Sequence, residues 1–367
     1  MKCEITKIII GLLLILVIFI SGCIQTEDEE EYQNDSEELS SDEKSNDSVI
    51  QRAEPYMTKI IFKDKNLRSK AASIAGDCPS GDKECQLNKI YLYIVENYKY
   101  YSDPTGQEYI QSPDETMDIK GGDCEDLTIL LNSLLENIGI KTYIVLTDNH
   151  TYSLACGINT KNMEQYVKED VVAQFSKDIE KRGYYKVVIE DENLFIVSEK
   201  KETFVLPERY NYYYGSNISN FTAPIDFMNI KYNISSSQPL TVYVVPTKND
   251  FALLSKDDTF THYASCKKQN ILKTSESCGH LSIGSGLVLV NNNSNDATVD
   301  LGVAFYYSYS TSELMKDKEI SYYQIDGQQC VILESTAGKY GYPGYIANST
   351  GEKIAVDPIT KKYTHLK

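Results

Sequence analysis

The chain reads as an α+β protein: helices packed on an antiparallel sheet, interrupted by an inserted all-β sandwich. Three observations lead there. Leu127, Leu130, Leu131, Leu134, Leu135 and Ile138 recur at i, i+3, i+4, i+7, i+8 and i+11, which is one apolar face of a helix. Two apolar strands, residues 142–146 and 152–158, follow directly, and a hairpin pattern with Asp326-Gly327 at its turn returns near the C-terminus. Between them Val299, Leu301, Val303, Phe305, Tyr307 and Tyr309 alternate as a half-buried antiparallel strand does.

A length of 367 residues holds about two domains with a sizeable core. The formal charge of −17 argues against a nucleic-acid partner and for a self-repelling, soluble exterior. After a short charged start, residues 8–20 are apolar throughout. That run suits a secretory leader and is short for a membrane span, which needs about 20 residues. It closes on Ile20-Ser21-Gly22-Cys23, which looks like a lipoprotein signal with Cys23 as the lipidated residue. The alternative is an uncleaved anchoring helix; either places the rest at the outer face of the cell membrane. Residues 1–22 are therefore read as leader. Residues 23–55, two-thirds of them Glu, Asp, Ser, Asn or Gln, are read as a disordered acidic tether.

The core is expected in two pieces, residues 56–216 and 313–367, around an inserted sandwich at 217–312. Residues 57–74 read as helical. Leu87, Ile90, Tyr91, Ile94, Val95 and Tyr98 mark an amphipathic helix that ends before Asp103-Pro104. In Gly121-Gly122-Asp123-Cys124-Glu125-Asp126 the glycines allow a sharp turn, Asp123 suits an N-cap, and Asp126 completes a capping-box-like pair. Gly139 stops the helix that follows. Cys124 thus falls in a helix first turn, where the macrodipole favours a thiolate and is expected to lower its pKa. Together with His150 at a strand start it supplies the ingredients of a Cys–His nucleophile pair. A further amphipathic helix runs through Met163, Tyr166, Val167, Val171, Phe175 and Ile179 to Gly183. Sequons at Asn217, Asn220, Asn233 and Asn348 fit the surface of an exported glycoprotein.

This run, Gly-Gly-Asp-Cys-Glu-Asp with its Leu-rich helix, strand and His150, resembles the transglutaminase-like superfamily, a branch of the papain-like fold. Residues 98–113, with Tyr109-Ile110-Gln111-Ser112-Pro113, resemble the lead-in of its prokaryotic members. The resemblance covers roughly residues 60–158 and a returning piece near the C-terminus. It implies a third member on the returning hairpin, where Leu333-Glu334-Ser335-Thr336 stands; Glu334 there replaces the family's Asp. Asp357, in Val356-Asp357-Pro358, is the alternative. The implied activity is cysteine hydrolase or acyltransferase chemistry at amide bonds. Cys124 attacks the carbonyl, His150 moves the proton and Glu334 fixes the imidazole. The Cys124 N–H stabilises the oxyanion, with Gln111 or Tyr109 as candidates for a second donor. The expected partner is a cell-surface protein or peptide substrate. No cofactor is implied, and no histidine has metal-ligand spacing. The competing reading is a catalytically degenerate surface protein that uses its β-sandwich to bind a partner.

Nine cysteines can be divided by elimination. Cys3 leaves with the leader, Cys23 takes lipid and Cys124 stays free, which leaves an even six. Cys78 with Cys85 and Cys266 with Cys278 are the local pairs, leaving Cys156 with Cys330. The resemblance to a papain-like sheet implies that those two lie on neighbouring strands, with Cys156 opposite Gln328; two buried thiols are the alternative.

Overall fold

The computed structural model describes residues 41–104, 107–190, 193–216 and 224–367, with side chains from residue 48 onward. The leader, Cys23, Asn217, Asn220 and most of the tether lie outside the described residues. Among the described residues no helix is long and apolar enough to cross a membrane.

Helix α1 (Ser41–Met57) corrects the expectation of a structureless tether for residues 41–55. Val49, Ile50, Ala53, Tyr56 and Met57 lie at helical spacing within an acidic stretch, and they pack on Ile144, Leu146, Ile354 and Val356. Composition concealed this apolar stripe because only one face carries it. The helix expected over residues 57–74 is also broken. The chain leaves α1 and restarts at α2 (Lys65–Ile74), where the Asp64 carboxylate accepts the N–H groups of Asn66 and Leu67 at 2.8 Å each. Helix α3 (Lys83–Asn97) follows, tied back by a Cys78–Cys85 disulfide.

Strand β1 (Lys99–Tyr100), helix α4 (Pro113–Ile119) and strand β2 (Gly121–Gly122) then lead into helix α5 (Cys124–Asn137). The apolar face of α5 is buried against Tyr91 and Ile94 of α3 and against Ala155, Val331 and Leu333 of the sheet. That sheet contains β3 (Thr142–Leu146) and β4 (Thr151–Cys156). Leaving β4, the chain enters α6 (Thr160–Glu180) and a long all-β region.

The β region comprises β5 (Lys186–Glu190), β6 (Asn193–Leu206), β7 (Asn211–Gly215), β8 (Ile225–Val245), β9 (Lys268–Leu281), β10 (Gly286–Val290) and β11 (Ala297–Tyr309). Its boundary differs from the expected residue 217, because β5, β6 and β7 already belong to the same hydrogen-bonded sheet. Instead of two separate layers it is one continuous curled sheet. The 21-residue β8 pairs with β11 through its first half and with β10 through its last five residues, while β9 runs along its other edge. Cys266 and Cys278 are bonded within it.

The chain then returns as the hairpin β12 (Tyr322–Ile325) and β13 (Gln328–Leu333), followed by β14 (Ile354–Val356) and β15 (Tyr363–His365). Asp326 and Gly327 both have positive φ, 50° and 76°, the backbone that a two-residue I′ turn requires. The core sheet has the order β12-β13-β4-β3-β14-β15. Strand β13 therefore lies beside β4 although more than 170 residues separate them, and the Cys156–Cys330 disulfide joins the two. Cys156 faces Cys330 itself, not Gln328, so the register differs by two residues from simple counting.

Candidate active site

The site is assembled at the N-terminus of α5. Asp123 caps the helix and accepts the Asp126 N–H, while the Asp126 carboxylate reaches back to the Asp123 N–H at 3.3 Å. The other Asp126 oxygen accepts the Gln111 N–H at 2.8 Å, which fixes the lead-in loop to the same helix end. The two glycines are required by close approach. A Cβ at Gly122 would meet the Asp126 carboxylate at 2.6 Å, and one at Gly121 would meet the Lys99 carbonyl at 2.4 Å. Both sides of the first turn are thereby held, and Cys124 is its first helical residue.

Cys124 is the only free cysteine among the described residues and is partly buried. Its sulfur receives the backbone N–H of Thr151, the residue after His150. The Thr128 hydroxyl donates to the Thr151 carbonyl at 3.3 Å and pins β4 to α5 at this point. The thiol itself donates to Glu125 Oε2 at 2.9 Å. The expected lowering of the thiol pKa is reversed. Burial raises it, the hydrogen bond to Glu125 and that carboxylate's charge raise it further, and the Thr151 N–H opposes them. The helix terminus is outweighed because acids crowd it.

His150 lies on the turn between β3 and β4, stacked on Tyr152 with ring centroids 6.0 Å apart. The turn is held from outside: Asp148 donates its N–H to the Thr350 carbonyl at 3.1 Å, and the Asn149 side chain accepts the Thr350 N–H at 3.0 Å. His150 Nε2 meets Glu334 Oε2 at 2.6 Å, leaving Nδ1 as the nitrogen for a second partner. Glu334 is 1 % exposed, and its Oε1 accepts both the N–H and the hydroxyl of Thr336. The Tyr91 hydroxyl donates to its backbone carbonyl at 2.9 Å. Leu333 pairs with Ser153, so Glu334 stands one step beyond that pair and reaches diagonally to His150. An aspartate there would have to span the same offset with one methylene fewer.

Asp357 does not join this group. Strand β14 runs antiparallel to β3 with Val356 opposite Ile144, so Asp357 emerges at the end of β3 remote from His150. It pairs with Lys141 at 3.2 Å and accepts the N–H groups of Ile359 and Thr360 at 2.9 and 3.0 Å. Burial works to raise its pKa, but those amides and the Lys141 ammonium hold it below the usual carboxylate range. It is a turn-closing residue.

Of the upstream donors, Gln111 is buried beside the helix start, and its side-chain oxygen has no hydrogen-bond partner. The Tyr109 hydroxyl is committed to Glu115 at 2.6 Å, and its ring is exposed. Sequence reasoning missed two partners. Glu125 was legible only as the neighbour of Cys124, and Thr336 only as a hydroxyl two residues after Glu334. Among the described residues no His, Cys, Asp and Glu side chains cluster in a way that could hold a metal ion.

Residues 70–184, from within α2 to just past α6, match the family model of the transglutaminase-like superfamily. The match includes Cys124 and His150 and ends before Glu334. No curated protein matches the chain in sequence. Three solved structures show partial likeness. Bacillus endospore appendages, described as disulfide-linked pili, are 10% identical over 32% of this chain and 91% of theirs, with a TM-score of 0.22. A de novo designed double-stranded β-helix is 7% identical over 29% of this chain and 97% of its own, at 0.17. IMPa from Pseudomonas aeruginosa, solved with an O-glycopeptide, is 9% identical over 68% of this chain and 24% of its own, at 0.16. These scores are too low to bear on function.

Proposed function

We propose that this protein is a thiol acyl enzyme of the outer membrane face, held there by its N-terminal leader or by lipid on Cys23, and acting on amide bonds of cell-surface proteins or peptides. The observation that carries the reading is the His150–Glu334 contact at 2.6 Å, together with a free thiol whose sulfur receives the N–H of Thr151, the residue after His150. A buried carboxylate on Nε2 keeps the proton on that nitrogen and leaves Nδ1 basic toward the sulfur, as the third member of a triad does. Cys124 gives its proton to Nδ1 and attacks the carbonyl. The N–H of Cys124 at the helix start, with the Gln111 side chain as second donor, stabilises the oxyanion. His150 then protonates the leaving amine, and water or a second amine releases the thioester.

One observation favours the competing reading of a degenerate surface-binding module: the thiol is bonded to Glu125, and its ionisation is opposed. Acylation by p-nitrophenyl acetate separates the two. The native protein is expected to release a stoichiometric burst of p-nitrophenolate and to carry acetate on Cys124. Cys124→Ala should release none above background. Equal release by both proteins refutes the enzyme reading. Adding a primary amine during turnover and identifying the product distinguishes transfer from hydrolysis.

A further inference from the structure

We propose that Glu125 is a positioning residue that latches Cys124 as a neutral thiol, its proton turned away from His150, and that Glu108 sets the charge on the latch. The inference rests on reading Cys124 as the nucleophile. Glu125 follows Cys124 in the first turn of α5 and is 7 % exposed, an unusual position for a carboxyl that makes no salt bridge among the described residues. Its Oε2 accepts the thiol proton at 2.9 Å, and its carboxyl also shares a hydrogen bond with Glu108 from the lead-in loop.

The groups around this pair are acids and phenols. Asp123 and Asp126 face it from α5, Asp103 and Glu108 from the loop, Tyr56 from α1 and Tyr100 from β1. From the β4 side comes the amide of Thr151, the residue after His150. Two carboxyls that hydrogen-bond each other must share a proton. Burial, and then the bond to Glu108, push Glu125 up to about 8. Near neutral pH Glu125 therefore holds a proton. When Glu125 ionises it grips the S–H more strongly and repels a thiolate next to it. The latch therefore tightens as pH rises, opposite to the ordinary behaviour of a cysteine. Catalysis begins when the S–H turns from Glu125 to His150. The S–H bond then breaks, an N–H bond forms at Nδ1, and no other proton acceptor is needed.

The sulfur can be read without any substrate, so this test stands apart from the test of acyl transfer. Full-length protein, Glu125→Gln and Glu108→Gln are treated with iodoacetamide from pH 5 to 10, with Cys124→Ala as blank, and Cys124 carbamidomethylation is followed by mass spectrometry. Above pH 8, where Glu125 is ionised, removing its charge should raise the thiolate fraction, and alkylation with it, by about tenfold, the effect of one pKa unit; near neutral pH, where Glu125 holds its proton, the change should be small. Glu108→Gln should do the reverse. Without its proton-sharing partner Glu125 ionises at lower pH, and alkylation at pH 7 falls several-fold. Glu125→Gln that folds and reacts at pH 9 at the native rate or slower overturns the latch. So does Glu108→Gln that is unchanged or faster. Glu108 is exposed, so its variant decides the matter alone if Glu125→Gln does not fold.

Discussion

Replacing Glu334 with Gln is the sharpest probe of the proposed machinery, because its surroundings dictate how the new amide must sit. Oε1 accepts two donors from Thr336, the N–H at 3.0 Å and the hydroxyl. A glutamine can satisfy them only by placing its carbonyl oxygen there. Its NH2 then points at His150 Nε2, where an acceptor stood at 2.6 Å. Two donors face each other unless the imidazole changes tautomer and carries its proton on Nδ1, the nitrogen that has to receive one from the thiol. Forcing the proton back means losing a charge-assisted hydrogen bond and leaving a buried donor unmade, together about 3–5 kcal/mol. At 1.36 kcal/mol per decade this amounts to roughly 10²–10⁴-fold in acylation rate. Burst kinetics with p-nitrophenyl acetate measure the rate, and imidazole ¹⁵N shifts of His150 report the tautomer. The fold should survive, since the two side chains have nearly the same shape. A variant that acylates at the native rate with the proton still on Nε2 would refute the orienting role of Glu334.

Three further outcomes follow from the same contacts. Cys156→Ala/Cys330→Ala removes a bond closing a separation of 174 residues and should lower stability by about 5 kcal/mol on the chain-entropy account, read as a lower denaturant midpoint against the oxidised native protein. Asp123 is pushed up to about 6 by burial and by Asp126, and Glu125 to about 8, so both bind protons more tightly folded than unfolded. Their contribution is complete below the unfolded carboxylate range near pH 4 and is lost as pH rises through about 6 and then about 8. The melting temperature should therefore fall between pH 5 and pH 9, with a flatter upper limb in Glu125→Gln; a rise over that window contradicts the assignment. Met57→Ala, cut from a side chain that is 4 % exposed, should destabilise by about 2–5 kcal/mol and speed proteolysis within α1, whereas unchanged cleavage means α1 is not docked.

What the sequence disclosed about this site is what is local in the chain. The capping pair at Asp123 and Asp126, the apolar face of α5 and the turn at Asp326-Gly327 each depend on residues a few positions apart, and each has the form that its spacing implies. What it withheld is set by packing between distant segments. The stripe Val49, Ile50, Ala53, Met57 has a surface to bury only because β3 and β14 supply it. The β boundary moved because β6 pairs with β11 across more than 90 residues, a partner that no local pattern announces. The two candidates for the third member, Glu334 and Asp357, follow similar short strands, and the returning hairpin favours Glu334. Their separation is decided by which neighbour each strand takes, β13 beside β4 and β14 beside β3 on its far edge. The direction of the Cys124 shift was misjudged for a related reason. A helix terminus contributes at most a modest favourable field to a thiolate. Burial and an adjacent carboxyl act at hydrogen-bond distance, and they win. The acids that complete the first turn, Asp123, Glu125 and Asp126, make the same turn a restrained place for a nucleophile. In the proposed mechanism that restraint is released at His150 before any acyl group moves.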